Sequence, residues 1–246
     1  ATLPLPAKAG KASATTSGNG GNITVKSQGA AEDAGSIEAK GGPQGGDGGS
    51  AEVSAPQVAF GGTVDTTAPQ GKTGSFVLDP ADIDICSLLC GTSALTIDIA
   101  LLTTDFTVTA TNSITVNAAI SSAATNNLFL DAPNTTLNAG ISLPNAKLEF
   151  TNSVGTNTGT VSSASGATIS ANEIDLLGDY ATVNVAGAVS ATSSIQMLGN
   201  VATVNFAGQV NAGTLHFHEP LTASTISVSN AANVIPILSF VGGETV

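Results

Sequence analysis

Two neighbouring stretches of the chain match each other at a fixed spacing, and this match decides the fold. They are LGDYATVNVAGAV, residues 177–189, and LGNVATVNFAGQV, residues 198–210. Leu177 corresponds to Leu198, and every later position keeps the same offset without a gap. TVNAAI, residues 115–120, returns at the same spacing as TLNAGI, residues 136–141. A fixed period of about 20 to 50 residues is typical of proteins built from stacked repeats.

The repeat is too short for a helix pair or a propeller blade, but it suits one coil of a parallel β-helix. Apolar and polar residues alternate in many segments, as in LTIDI at 95–99, which is the pattern of β-strands with one buried face. We therefore predict an all-β fold, a right-handed parallel β-helix with about 21 residues per coil. Val183 and Val185 are expected to face inward, stacked against Val204 and Phe206. An antiparallel β-sandwich with coincidental self-similarity is the alternative.

The spacing is not uniform, and this divides the predicted β-helix into regions. The step from Phe150 to Ile174 is longer than the others, which indicates an insertion in one coil. Glycine pairs such as Gly45-Gly46 supply the left-handed backbone conformations of sharp corners. The predicted organisation is an extended, low-complexity lead-in at 1–20 and a single β-helix at 21–246, made of glycine-cornered coils at 21–85, a cysteine loop at 86–90 and regular coils at 91–246.

The composition excludes several classes of function. Only 10% of the 246 residues are charged. The chain has six Lys, no Arg and eighteen acidic residues, for a net charge of −12. A nucleic-acid-binding protein needs a basic surface, and an anionic membrane repels such a chain. No apolar run reaches the ~18 residues of a membrane-spanning helix. The chain begins at Ala1 without a signal segment, so we expect any such signal to have been cleaved or left out.

One part of the glycine-rich half resembles a known family. It reads GGSAEVSA at 48–55, FGGTVDTTAPQGKTG at 60–74 and SFVLDPADIDI at 75–85. This succession resembles the large exoproteins of two-partner secretion systems, the filamentous-haemagglutinin-like family of Gram-negative bacteria. The resemblance covers roughly residues 20–86, and Leu78-Asp79-Pro80 is its most specific part.

The resemblance implies a parallel β-helix that is secreted or exposed on the outer cell surface. In that family the fold acts in adhesion or as an extracellular fibre, so a host or neighbouring-cell glycan or protein is the implied partner. The family's amino-terminal secretion domain, with its Asn-Pro-Asn-Gly-type motifs, has no match here. The resemblance therefore implies a downstream passenger segment, or a relative that assembles by another route. A carbohydrate-binding or carbohydrate-degrading β-helix is the alternative function.

The Leu78-Asp79-Pro80 block has the properties of a coil corner. Leu78 is expected to point inward, and the carboxylate of Asp79 can accept backbone N–H groups at the turn. Pro80 fixes its own φ and favours an extended conformation at Asp79. Ile83 and Ile85 then resume the inward face.

Cys86 and Cys90 are the only cysteines. In a straight strand their Cα atoms would lie about 13 Å apart, whereas a disulfide needs roughly 4.4–6.8 Å. A bond between them therefore requires the chain to loop at 87–89. Because secreted proteins are exposed to an oxidising environment, we predict this disulfide, with two reduced thiols as the alternative. A zinc site would need further ligands, which no nearby His supplies.

Two other patterns could hold a metal. His216 and His218 lie on one face of a strand, as half of a metal site or as solvent-exposed side chains. GGPQGGDGG at 41–49 resembles the calcium-binding nonapeptide repeat, but it occurs once, whereas that motif works in tandem. Exposed histidines and a glycine corner are the simpler interpretations, so we predict neither a metal nor a cofactor.

Catalysis is not expected. Asp82 and Asp84 share a strand face, with Asp79 and Asp98 expected nearby, but acidic residues at coil corners are usually solvated. A lyase of this fold would need an Arg base, and the chain has none. It has no Trp and only Tyr180 to offer as an aromatic sugar platform. We therefore predict no catalytic residues.

The carboxyl end of the sequence is apolar. Residues 234–238 read VIPIL, and Phe240-Val241 follows without any charged cap. Residues 1–9 form a proline-containing strand candidate without a coil of its own. A β-helix leaves unpaired backbone groups on its first and last coils. We therefore predict end-to-end self-association or continuation into a longer exoprotein, with frayed ends as the alternative.

Overall fold

A computed structural model describes residues 10–33, 35–86, 94–96, 104–153, 158–218 and 225–241. Within these ranges the chain is all β, without a helix, and its strands pair in parallel. They stack as a β-solenoid whose turns are roughly 22 residues apart. The predicted fold class is therefore confirmed, and an antiparallel sandwich is excluded.

The chain forms two compact units. The first contains residues up to 111 together with 126–129, and the second contains 112–125 and the residues from 130 onward. In neither unit do the described residues include a helix long and apolar enough to cross a membrane.

The first unit is built from short strands arranged in three sheets. One sheet has the order β1-β4-β7, a second contains β9-β10-β6-β3, and a third contains β2-β5-β8-β11. The strands are β1 (Gly10–Lys11), β2 (Asn22–Lys26), β3 (Ala30–Asp33), β4 (Ser36–Glu38), β5 (Ser50–Ser54), β6 (Gln57–Phe60), β7 (Thr63–Asp65), β8 (Ser75–Asp79), β9 (Asp82–Cys86), β10 (Ala94–Thr96) and β11 (Asp105–Thr109).

The coils of the first unit are longer than those of the sequence repeat. Asn22 pairs with Ser50, 28 residues later, and Ser54 pairs with Asp79, 25 residues later. The reason is that these coils carry three short strands with glycine corners between them. At one corner Gly46 has a φ of 118°, and a Cβ there would lie 2.0 Å from the carbonyl oxygen of Gly18. Only glycine allows such close stacking of two corners.

The second unit has two long parallel sheets. Their orders are β12-β15-β17-β19-β21-β23 and β16-β18-β20-β22-β24, and β13 pairs with β16. The strands are β12 (Ser113–Val116), β13 (Ile120–Ser121), β15 (Asn134–Leu137), β16 (Ile141–Thr151), β17 (Gly159–Ser163), β18 (Ile169–Leu176), β19 (Tyr180–Val185), β20 (Val189–Met197), β21 (Val201–Phe206), β22 (Val210–His218), β23 (Thr225–Val228) and β24 (Ile237–Val241). The first two residues of β14 (Leu128–Asp131) belong to the first unit.

The strand register of the second unit follows the sequence repeat. Asn184 pairs with Asn205, 21 residues later, and Val183 pairs with Val204 in the same register. The predicted insertion is also confirmed, because Phe150 of β16 pairs with Leu176 of β18 across a longer coil.

The inward side chains form continuous apolar columns. In the first unit the rings of Phe60, Phe76 and Phe106 stack on three coils, with centroids 5.0 and 5.2 Å apart. In the second unit Val183 and Val204 have no exposed surface, as predicted. Stacking identical or similar apolar side chains at the strand spacing of about 4.8 Å removes them from water, which is the main stabilising contribution in such a fold.

Candidate functional site

The first sheet of the second unit presents a polar surface, which we call the hydroxyl-amide face. It consists of the outward side chains of β12, β15, β17, β19, β21 and β23, two from each strand. In register they form two columns along the stack. The columns are Ser113, Asn134, Thr160, Thr182, Thr203 and Thr225, and Thr115, Thr136, Ser162, Asn184, Asn205 and Ser227.

The hydroxyl-amide face is accessible and uncharged. Each of its twelve side chains is exposed or half-buried, and each is Ser, Thr or Asn. Neighbouring rungs bond to each other: Thr160 donates to the side-chain oxygen of Asn134 (3.2 Å), and the amide of Asn205 donates to that of Asn184 (2.9 Å). These groups retain further donor and acceptor capacity for a ligand, because a hydroxyl or amide can make more than one hydrogen bond.

Local sequence alternation creates this face. In β19 and β21 the residues between the outward positions, Val183, Val185, Val204 and Phe206, are buried. Because side chains alternate across a strand, an apolar inner column forces a polar outer one. The repeat then copies the pattern from coil to coil.

The other sheet of the second unit carries a cluster of charged groups, which we call the Lys147 cluster: Lys147 and Glu149 of β16, and Glu173 and Asp175 of β18. Glu149 pairs with Asp175 across the strands, and Lys147 with Glu173. The Nζ of Lys147 contacts Oε2 of Glu149 and lies 3.4 Å from Oδ2 of Asp175. Gln196 of β20 donates to Oε1 of Glu173 at 2.5 Å.

Two carboxylates of the Lys147 cluster are withdrawn from water. Glu149 is 8% exposed and Asp175 is 5% exposed. Burial raises the pKa of Asp175 to about 6, and the charge of Glu173 adds to this effect while Lys147 opposes it. Oδ1 of Asp175 is buried and has no hydrogen-bond partner among the described residues. Buried carboxylates with an internal Lys counter-ion are typical of a structural ion pair rather than of an open catalytic cleft.

Sequence reasoning did not identify the Lys147 cluster. The signal lay in KLEF at 147–150 and EIDL at 173–176, where charged and apolar residues alternate with the same phase. Aligning Leu148 with Ile174 places the four charged residues opposite each other. The apolar residues of the two segments show the longer step between them, and the charged positions correspond only once those apolar residues are aligned.

The two histidines lie on one strand face, as the sequence predicted. Their ring centroids are 6.4 Å apart on β22; His218 is exposed and His216 is half-buried. The strand neighbours of His216 are Gln196 and Ser239, neither of them a typical metal ligand. Across the described ranges, no group of three or more His, Cys, Asp or Glu side chains could hold a metal ion.

The Leu78-Asp79-Pro80 block lies at the end of β8 in the first unit. Leu78, Ile83 and Ile85 are buried in the core. The carboxylate of Asp79 accepts a hydrogen bond from the Ser54 hydroxyl of the preceding coil, at 3.3 Å. The block therefore links two coils through a side chain as well as through the strand ladder.

The aspartates considered for catalysis do not form a described cluster. Asp82 is exposed and Asp84 half-buried on β9, and Asp98 lies outside the described residues. The predicted disulfide falls partly outside them as well. Cys86 is buried with 5% exposure at the end of β9, but Cys90 is not among the described residues. The Cys86–Cys90 bond stays a prediction.

The glycine-rich segment at 41–47 forms a corner held by side-chain contacts. Oδ1 of Asp47 accepts the backbone N–H of Lys72 at 2.8 Å, and the N–H of Asp47 donates to the side chain of Asn19 at 2.8 Å. Asp47 thus bridges three successive corners of the first unit. This use of its carboxylate fits the interpretation as a structural corner.

Comparison with known proteins identifies no relative of this chain. No family model matches it, and neither a curated protein nor a solved structure matches significantly.

Proposed function

We propose that this chain is a structural and adhesive β-solenoid of a secreted or cell-surface protein, as a segment of an adhesin or a subunit of an extracellular fibre. The observation that carries the proposal is the hydroxyl-amide face. It is a regular, uncharged and accessible array on six parallel strands. The resemblance of residues 20–86 to exoproteins of Gram-negative bacteria supports an outer-surface location.

Adhesion through such a face uses many weak contacts. Hydroxyl and amide groups donate and accept hydrogen bonds, and so match the hydroxyls of a glycan or the backbone of a protein chain. Each exposed contact contributes little alone, because water competes for it. Repetition along the stack lets an extended ligand engage several rungs at once, and linked contacts raise the overall affinity. A neighbouring-cell or host glycan is therefore the partner class that we favour.

Binding of the purified chain to a glycan array tests this proposal, with adhesion of chain-coated beads to cells as a second readout. Thr182→Lys adds a long charged side chain in the middle of the hydroxyl-amide face, and we expect it to reduce binding at least tenfold. Ser190→Lys makes the same change on the outward side of β20, in the other sheet, and should leave binding unchanged. Equal binding by both variants and the unsubstituted chain would exclude this face as the adhesive surface.

A carbohydrate-degrading β-solenoid is the second candidate, and the Lys147 cluster is the observation in its favour. A glycoside hydrolase needs two carboxyl groups, one with a raised pKa, and Asp175 has that property. Against it, both Glu149 and Asp175 are buried against Lys147. Release of reducing sugars from acidic and neutral polysaccharides decides between the two candidates, because an adhesin releases none.

A further inference from the structure

The last coil of the second unit exposes side chains that belong to the core. Leu238 and Phe240 of β24 pair with Leu215 and Phe217 of β22 and continue their inward columns. Leu215 and Phe217 have no exposed surface, whereas Leu238 is 54% exposed and Phe240 58%. The rings of Phe217 and Phe240 stack at 5.3 Å, so the column ends with an aromatic ring open to water.

β24 is the terminal strand of its sheet among the described residues. Its outer edge therefore presents backbone N–H and C=O groups together with two apolar side chains. Exposed edges of this kind pair readily with another strand. Val234 and Ile237, both more than half exposed, extend the apolar surface beside this edge.

The first unit has a sheet edge that is also unpaired on one side among the described residues. β2 is also terminal in its sheet within the part of the chain that is described, and it pairs with β5 on one side only. Its inward residues Ile23 and Val25 are half-buried, whereas their partners Ala51 and Val53 on β5 are fully buried. Among the described residues, β2 has a strand partner on one side only, as β24 does.

We propose that the β24 edge of one copy of this chain binds the β2 edge of a second copy, in parallel and head to tail. The inference deepens the proposed fibre role and rests on it. The proposed contact repeats the pairing found within the chain, where each strand pairs in parallel with the equivalent strand of the next coil. Leu238 and Phe240 would pack against Ile23 and Val25, which have the same spacing along their strand.

Charge and topology favour a second copy as the occupant. Residues 225–240 contain no charged side chain, and Lys26 at the end of β2 already pairs with Glu52 at 3.0 Å. No like charges are therefore brought together. The other sheets offer a matching pair of edges, since β23 and β3 are also terminal strands among the described residues. In a dimer formed by two different surfaces, one surface of each kind stays unoccupied, so association can continue to larger oligomers.

Sedimentation of the full chain over a range of concentrations tests the proposal. We expect the average mass to rise well above the 24.0 kDa of one chain as concentration increases. Phe240→Lys or Val25→Lys should each abolish this rise, because a charge would enter the proposed apolar contact. Ser239→Lys and Thr24→Lys place the same charge on the same strands but on their outward faces, and should associate normally. Circular dichroism verifies that each variant keeps its β structure.

Mixing the two blocked variants gives the sharpest readout. The Phe240→Lys chain retains its β2 edge and the Val25→Lys chain retains its β24 edge. Their mixture should form dimers of twice the chain mass and nothing larger. Association of the Val25→Lys chain with itself would mean a tail-to-tail contact and overturn the head-to-tail arrangement.

A constant mass of one chain at all concentrations would also overturn the proposal. Glycan binding by such a monomer would leave the adhesive function intact. The two proposals can therefore fail separately.

Discussion

The side-chain amide of Asn205 donates a hydrogen bond to the side-chain oxygen of Asn184, 2.9 Å away on the preceding coil and 21 residues earlier in the chain. Asn138 and Asn117 form the same bond at the same distance and the same sequence separation. An amide can donate on one side and accept on the other, so stacked asparagines can bond from coil to coil. The repeat thus stabilises the solenoid on its outside as well as through its core.

This ladder predicts a specific sensitivity to charge. In the double variant Asn184→Asp/Asn205→Asp two carboxylates face each other on adjacent rungs at the strand spacing of about 4.8 Å. We expect a coupling of about 1 kcal/mol against folding at pH 7, beyond the sum of the single variants. The coupling should vanish at pH 3, where both groups are protonated. Urea unfolding of the single and double variants measures it.

The control for this charge effect is Asn134→Asp/Asn184→Asp, which adds the same net charge in two different columns. These positions are not opposite each other in any strand pair, so no coupling is expected. Equal coupling in both double variants would show that net charge, and not the ladder, is responsible.

The stacked glycines at the coil corners predict that some glycine substitutions destabilise the fold strongly. A Cβ on Gly208 would lie 2.0 Å from the carbonyl oxygen of Gly187 on the preceding coil, and both glycines lie between paired strands. Gly208→Ala must therefore push two coils apart, and we expect a loss of more than about 2 kcal/mol. A Cβ on Gly166 meets nothing within 4 Å, so Gly166→Ala should change stability by about 0.5 kcal/mol or less. Thermal unfolding of both variants compares them directly.

A buried hydroxyl predicts a gain in stability. Thr135 faces inward on β15 with no exposed surface, and its Oγ1 has no hydrogen-bond partner among the described residues. Thr135→Val keeps the shape and removes the unsatisfied group, so we expect a gain of about 1–2 kcal/mol. Ser163 is the matched control, because its Oγ accepts the backbone N–H groups of Ala186 and Gly187 at 3.1 Å. Ser163→Ala should therefore destabilise, and a loss for both variants would contradict the argument.

The repeat allowed the fold of the second unit to be predicted from sequence in some detail. Its period indicated the strand register directly, and alternation identified the inward residues Val183 and Phe206. The first unit was less predictable, because its coils vary in length. Asn22 and Ser50 pair across 28 residues, and only the short motif GG-x-x-x-V, at 20–25 and 48–53, aligns them. There the register depends on glycine corners and long-range stacking, and the coil length changes from one coil to the next.

The candidate surfaces were predictable only in part. The pairing of Asn184 with Asn205 followed from the repeat, but the continuity of the hydroxyl-amide face did not. It depends on register through the longer coil that ends at β17, where Thr136 pairs with Ser162, 26 residues away. Burial of Asp175 was not predictable either. The sequence places a carboxylate at an outward position, and outward carboxylates are usually solvated.

The last prediction concerns the pH dependence that Asp175 gives to folding. Its folded pKa of about 6 lies above the ordinary value of 3.8, so the folded chain binds this proton more tightly than the unfolded chain does. The contribution of Asp175 to the free energy of unfolding should therefore be greatest below about pH 4 and should fall as the pH rises to about 6. The groups that face it are Lys147, Glu149 and Glu173, with the neutral Gln196 on the next strand.

Asp175→Asn removes this titration, because an amide keeps the shape without the charge. We expect the variant to be more stable than the unsubstituted chain by at least about 1 kcal/mol at pH 8, and the difference to shrink towards pH 4. Glu173→Gln is the companion variant. It keeps the charge of Asp175 but removes the largest charge repulsion on it, so the fall in stability should be smaller and should end at a lower pH. Unfolding by urea at half-unit pH steps between 4 and 8 resolves both curves. The free energy of unfolding depends on pH only where the folded and unfolded states bind different numbers of protons. A constant difference in this free energy between Asp175→Asn and the unsubstituted chain would therefore show that the buried carboxylate does not titrate between pH 4 and 8.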